Sequence, residues 1–314
     1  MSHLSILFMG TPDFARESLA ALCGANEKVI GVITGEDKRS GRGMKQTFSE
    51  VKEYALSQNL PIYQPATLKD GAIAPLLEQL KPDVIVVVAY GKILPEYVLN
   101  APRYGCINIH GSLLPRYRGA APIQRAVLNG EKKTGVTSMY MAKGLDTGDM
   151  IFSDETEIGE NECVGEVWDR LAIMGGKILL RTLNALEKKD APRIKQDENL
   201  ATYAAKITKE ETLLDFTKPA FAVHNTIRGM SPFPGAYAYY NGTAVKLYGS
   251  ALADASGKPG EILSLTKDGA TVACGEKAVL ISHFKPEGSR KMSAADMLNG
   301  RKLSVGGLFT DQKA

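Results

Sequence analysis

Apolar positions in the first half of the chain fall into short runs separated by helix-sized stretches. Leu4–Met9 is one such run, and it ends in Gly-Thr-Pro-Asp-Phe. Pro12 and Asp13 are helix-start residues, so the pattern predicts a helix over 14–23. Val29–Thr34 reads as a second strand. A helix follows over 49–59, then a short strand over 61–63 and a helix over 73–80. Val84–Ala89 is a continuous run of mostly β-branched residues, which suits a strand covered on both faces in the middle of a parallel sheet. Cys106–Ile109 and Val136–Met141 read as further strands. Between them a helix is expected over 120–128, with Pro122 tolerable in its first turn. The longest helical pattern covers 163–189, where Val164, Val167, Trp168, Leu171, Ile178 and Leu183 recur at helical spacing. Trp168, the only tryptophan, is expected to pack in the core.

Strands alternating with helices indicate βαβ units and a Rossmann-like, doubly wound, mostly parallel α/β sheet. Beyond Asp190 the chain turns polar, and after Lys206 its character changes. Ala244–Tyr248, Gly260–Thr266, Thr271–Ala273 and Ala278–Phe284 are short segments divided by Gly, Asp and Asn. That is the pattern of a small β-barrel or sandwich. The expected organisation is an α/β domain over 1–189, a linker over 190–206 and a small β domain over 207–314.

Charge adds a little to this picture. The net formal charge is only +3, but residues 206–314 hold 14 Lys/Arg against 10 Asp/Glu. Lys38 to Lys45, Lys-Arg-Ser-Gly-Arg-Gly-Met-Lys, carries four basic residues and no acid. A basic loop and a mildly basic tail fit a polyanionic partner, and solvated surface lysines fit equally well. No apolar run approaches the ~20 residues of a membrane span. The N-terminus has no basic n-region or signal-type cleavage site. The four cysteines are scattered and form no C-x-x-C, so no disulfide frame or metal site is expected. A cytoplasmic protein is expected.

The common nucleotide and hydrolase signatures are missing. There is no Walker-type loop, and the turn after the first strand, Met-Gly-Thr-Pro-Asp-Phe, is not G-x-G-x-x-G. What remains is Asn108-x-His110 at a strand end and the loop Gly-Leu-Asp-Thr-Gly-Asp-Met, 144–150. In an extended segment residues 108 and 110 share a face. In open α/β sheets ligands bind at the carboxyl ends of strands, where these two residues would lie. An amide is a good donor to a developing oxyanion, worth about 3–4 kcal/mol. A neutral imidazole can accept or relay a proton. Asp146, between two glycines, could reach and orient that imidazole. This set suits a tetrahedral intermediate at a carbonyl. An Asn-x-His at a strand end is more often structural, however, and Gly-Leu-Asp-Thr-Gly is a common turn. The residues alone leave both readings open.

The larger pattern is more specific. Asn108-x-His110-Gly-Ser-Leu-Leu-Pro115, Arg116-Tyr-Arg-Gly119 and Gly144-Leu-Asp-Thr-Gly-Asp149 resemble the folate-dependent formyltransferases. Gly10–Phe14, Val86–Pro95, Gly119–Gln124, Thr202–Glu211 and Ser231–Ala236 extend the resemblance along nearly the whole chain, toward the members that act on methionyl-tRNA. The resemblance implies a first domain that binds 10-formyltetrahydrofolate, with Ser112, Leu113, Leu114, Pro115, Val88, Tyr90, Gly91 and Ile93 lining its site. It implies that the methionine amine of initiator methionyl-tRNA attacks the formyl carbon directly. Asn108 would hold the oxyanion, His110 would manage the proton, and Asp146 would orient His110. It further implies a monomer whose C-terminal OB-like barrel helps to hold the tRNA, no metal, and tRNA contacts from Lys38, Arg39, Arg42, Lys45, Lys206 and Lys209. The chain departs from the family in Gly35-Glu36, where a proline-containing start of the basic loop is usual. It also has Pro232-Phe233-Pro234 for Pro-Trp-Pro, and the aromatic packing is expected to survive that change.

Overall fold

Strand β1, Ile6–Gly10, is buried at every residue and leads into α1, Asp13–Gly24. Gly10 is required at this junction, because a Cβ there would lie 2.6 Å from Ala15 Cβ and 2.9 Å from the Val88 carbonyl oxygen. In chain order there follow β2 (Val29–Ile33), β3 (Lys38–Ser40), β4 (Lys45–Thr47), α2 (Glu50–Ser57), β5 (Ile62–Tyr63) and α3 (Ala74–Leu80). Ser49 caps α2 by accepting from the Lys52 N–H. Next come β6 (Val84–Val88), α4 (Glu96–Leu99), β7 (Cys106–His110), β8 (Arg118–Gly119), α5 (Pro122–Leu128), β9 (Lys133–Tyr140), β10 (Met150–Glu157), α6 (Val164–Lys188) and β11 (Tyr203–Ala204). The computed structural model describes residues 3–40 and 45–313. The chain divides into two compact units, one of Met1–Pro122, Thr134–Thr156 and Trp168–Ala204, the other of Ile123–Lys133, Glu157–Val167 and Ala205–Ala314.

The first unit is built on a seven-stranded sheet in the order β10-β9-β7-β6-β1-β2-β5. Pairs β1–β2, β1–β6, β2–β5 and β6–β7 are parallel. Strand β9 runs antiparallel to β7, with Asn108 opposite Met139 and His110 opposite Thr137. This is a Rossmann-like, doubly wound arrangement. As the Val-Ile-Val-Val-Val run requires, all of β6 is buried. Ile85 and Val87 join Leu7, Met9, Leu77 and Val98 in one core. Trp168 is only half-buried: its ring meets Phe14 edge-on at 5.3 Å, and its Nε1–H donates to Asp13 Oδ1.

The second unit continues with α7 (Ala220–Gly229), β12 (Tyr237–Tyr240), β13 (Thr243–Ala253), β14 (Ile262–Leu265), β15 (Ala270–Ala273), β16 (Ala278–Pro286), β17 (Met292–Ser293), α8 (Ala294–Asn299) and β18 (Phe309–Thr310). Its sheet has the order β14-β15-β16-β13-β12-β18 and pairs antiparallel. Backbone bonds from Ile262 N to Gly307 O and from Phe309 N to Gly260 O curl the two edges together, an OB-like form. Phe216, Phe284 and Phe309 stack within its core, against Val223 and Ile227 of α7.

Two expectations change here. The polar segment 190–206 is not featureless. Ile194 bridges to Met150, a 3₁₀ turn spans Glu198–Leu200, and β11 pairs with β8. Phe233 keeps the aromatic character but not the packing, for it is 80% exposed.

Candidate active site

Strand β7 carries Asn108 at its third position and His110 at its carboxyl end, 9% and 6% exposed. The imidazole is held on one side by the backbone, its Nε2 lying 2.9 Å from the Tyr117 carbonyl oxygen. A carbonyl only accepts, so Nε2 carries the proton. Nδ1 faces Asp146 Oδ2 at 3.7 Å, too long for a hydrogen bond but close enough for a charge pair. Asp146 has φ +52°, a backbone conformation that Asp tolerates better than most residues. Its Oδ2 accepts the Gly119 N–H at 2.8 Å. The Asn108 amide makes no hydrogen bond to any described residue. His110 and Asp146 thus share a single neighbour segment, 117–119, which grips the first by a carbonyl and the second by an N–H.

That segment is anchored by a residue with no local signal. Arg118 is fully buried, and its guanidinium donates in bidentate fashion to Glu198 (2.9 and 2.8 Å) and through Nε to Gln196 Oε1 (3.0 Å). The guanidinium's hydrogen bonds hold the Glu198 carboxyl below its ordinary pKa. Gln196 Nε2 in turn donates to the carbonyls of Asp146 and Gly148, both at 2.8 Å. Thr202 completes the frame, accepting from Tyr117 N at its hydroxyl and from Arg118 N at its carbonyl. The segment expected to be a linker therefore supports the loop that carries Asp146.

The turn after His110 is pinned to β9. Thr137 Oγ1 donates to the Ser112 carbonyl (2.7 Å) and accepts from Leu114 N (3.2 Å), while Ser112 Oγ donates to the Arg116 carbonyl. Leu114 is buried and Leu113 and Pro115 are half-buried. Val88 is buried, Gly91 has φ +81°, and Ile93 is 87% exposed. Burial pushes the Tyr90 phenol up to about 12, and its hydroxyl has no hydrogen-bond partner among the described residues. An apolar stretch with an orphaned buried hydroxyl fits a flat heterocycle with polar edges.

The formyl transferase family model matches residues 3–183, and the formyl transferase C-terminal domain model matches residues 206–302. A methionyl-tRNA formyltransferase of Alkaliphilus oremlandii is 42% identical over 308 residues, 98% of this chain and 99% of the relative. One of Caldanaerobacter subterraneus is 45% identical, covering 96% and 99%. The chain belongs to the methionyl-tRNA formyltransferase family. In fold it is also similar to WlaRD, a sugar 3N-formyl transferase crystallised in the presence of dTDP and 5-N-formyl-THF. There the TM-score is 0.67 at 18% identity, over 91% of this chain and 99% of that one.

The remaining residues named from the sequence of this formyltransferase family member belong to both units. Lys38, Arg39 and Lys45 belong to β3 and β4, and Arg42 lies outside the described residues. Lys206 and Lys209 are exposed in the second unit, where the Lys206 carbonyl accepts from Arg125 and the Lys209 carbonyl from Thr212. Among the described residues no His/Cys/Asp/Glu group could hold a metal, and no helix is long and apolar enough to cross a membrane. The supporting roles of Arg118, which lies in the Arg116–Gly119 block, and of Gln196 and Glu198 were missed by sequence reasoning. Gln196→Ala removes both bonds to the Asp146 loop and should lower kcat on the order of tenfold, since small displacements of reacting groups are costly. KM for the folate should stay near its wild-type value. An unchanged kcat in steady-state kinetics would show that the loop holds itself.

Proposed function

We propose that the protein transfers the formyl group of 10-formyltetrahydrofolate to the free amine of methionine on initiator tRNA, giving N-formylmethionyl-tRNA for translation initiation. The observation that supports this reading is the pairing of His110 with Asp146, Nδ1 to Oδ2 at 3.7 Å, with Asn108 two residues earlier on the same strand. The formyl donor supplies an electrophilic carbon, and Ser112–Pro115 with Val88, Tyr90, Gly91 and Ile93 would hold it. The amine lone pair forms the new C–N bond while the carbonyl π pair moves to oxygen. Asn108 Nδ2 donates to that oxygen as its charge grows. His110 Nδ1, the ring nitrogen free to accept, takes the ammonium proton, and the resulting imidazolium gains the charge of Asp146 beside it. His110 then returns the proton to the folate nitrogen as the old C–N bond breaks and the carbonyl re-forms. No covalent enzyme intermediate is needed. The substrate is cytoplasmic, and so on this reading is the protein.

Incubation with 10-formyltetrahydrofolate and methionyl-tRNA should yield N-formylmethionyl-tRNA. Formylation only of a free nucleotide sugar or of glycinamide ribonucleotide would overturn the substrate assignment. On the same reading Arg42, in the basic loop, grips the acceptor stem. Arg42→Ala should raise KM for tRNA roughly tenfold, the worth of one charged hydrogen bond, and leave folate affinity intact. Equal loss of both would mean misfolding rather than a lost RNA contact.

A further inference from the structure

The second unit contains a cavity of ≈ 530 Å³ whose lining has played no part in the chemistry above. Three of its residues stand on α7 and are almost fully buried: His224, Asn225 and Arg228, at 3%, 2% and 5% exposure. Their hydrogen bonds are determined by chemistry. His224 Nε2 donates to the Glu160 carbonyl (2.8 Å), and its Nδ1 is hydrogen-bonded to the Ser250 hydroxyl (2.8 Å). Burial also pushes this imidazole's pKa below its ordinary value. Arg228 donates through Nε to Asn225 Oδ1 (2.8 Å) and through Nη1 to the carbonyls of Gly159 and Glu162 (3.1 and 3.2 Å). That bond fixes which end of the Asn225 amide is oxygen.

Two donors are left over. Asn225 Nδ2 and Arg228 Nη2 have no acceptor among the described residues, and neither atom is sealed inside protein. Gly130, at φ +70°, keeps the approach open, because a Cβ there would lie 2.7 Å from Asn225 Nδ2 and 2.4 Å from the Phe221 ring. Phe221 and Leu252 give the cavity an apolar wall and are themselves 53% and 54% exposed. Its charges balance in number, Lys132, Lys133 and Arg228 against Glu131, Glu157 and Glu160. A bare anion gains little from balanced walls. A neutral ring with acceptors along one edge gains both the stacking surface and the two donors.

We propose that this cavity is a nucleobase pocket for an unpaired purine, guanine before adenine, stacked on Phe221 with its O6 and N7 edge toward Asn225 Nδ2 and Arg228 Nη2. Guanine offers two acceptors on that edge, whereas adenine replaces one with an amino donor that would face a donor. The base could come from RNA or from a free guanine nucleotide, and the two sources are separable. The inference does not rest on the formyl-transfer reading, and its test uses no formyl donor.

The test is an NMR titration of the full chain, labelled at Leu and Ala methyls, with GMP, AMP, 7-deaza-GMP and inorganic phosphate. GMP should shift the methyls of Leu252 and Ala251, and AMP and 7-deaza-GMP should bind several-fold more weakly. Phe221→Ala, at an exposed position, should weaken GMP binding roughly fivefold or more with the melting temperature preserved. Leu252→Ser should weaken it in the same direction. A uridine oligonucleotide with a single guanine that binds more tightly than GMP identifies RNA as the source; equal or weaker binding identifies the free nucleotide. The proposal fails if millimolar GMP leaves those methyls unmoved, if AMP binds as well as GMP, or if phosphate alone reproduces the shifts. It also fails if both variants bind GMP as wild type does.

Discussion

His110→Ala should lower kcat by roughly 10²–10⁴-fold, the range for losing a positioned general acid–base, while KM for both substrates changes little. The direction follows from the hydrogen bonds of the ring. Nε2 is committed to the Tyr117 carbonyl, so Nδ1 is the one basic nitrogen that can take a proton from the attacking amine. Asp146 cannot substitute, because its Oδ2 is already engaged by the Gly119 N–H and faces the imidazole. The truncation leaves the Tyr117 carbonyl without its partner, which costs about 1–3 kcal/mol where water cannot replace it. Thermal unfolding should therefore accompany the kinetics. A folded variant that keeps most of its single-turnover rate would remove His110 from the proton path.

The elements legible in the chain were those whose burial is uniform. Val84–Val88 is covered on both faces and reads as an unbroken apolar run, and α6 shows its period over 25 residues. Elements with mixed signals were not legible. Strand β10, Met-Ile-Phe-Ser-Asp-Glu-Thr-Glu, has one side in water and carries acids there. Helix α7 contains Val, Thr, Ile, His and Asn, weak helix formers whose helicity comes from packing Val223 and Ile227 into the β domain core. The candidate trio was nameable because two members share one strand, but its support was not. Arg118 reads as one of two arginines in a basic tetrapeptide, and its partners lie 78 and 80 residues away. Only the fold brings them together. The polarity of 190–206 suggested a connector, whereas Gln196 and Thr202 use that polarity to hold backbone groups around the candidate site and Glu198 uses it to hold the Arg118 guanidinium.

Asn108→Ala should reduce kcat by about 10²–10³-fold, the usual loss when one oxyanion donor is removed. Unlike His110→Ala it should leave stability almost untouched. The Asn108 amide bonds no described residue, so alanine orphans no partner. On the proposed reading this almost buried, unbonded amide donates to charge that appears only during reaction. Such an interaction strengthens between ground and transition state and shows in kcat rather than KM. Asn108→Asp separates this account from one based on shape. The carboxylate fills the same space but presents negative charge to a developing negative oxygen, so it should be at least as inactive as alanine. The double variant with His110→Ala should fall well short of the product of the two single losses, since both groups serve one tetrahedral carbon. If Asn108→Asp instead retained a rate within tenfold of wild type at neutral pH, the oxyanion would have to be held by another group, and the role given to this amide would be lost.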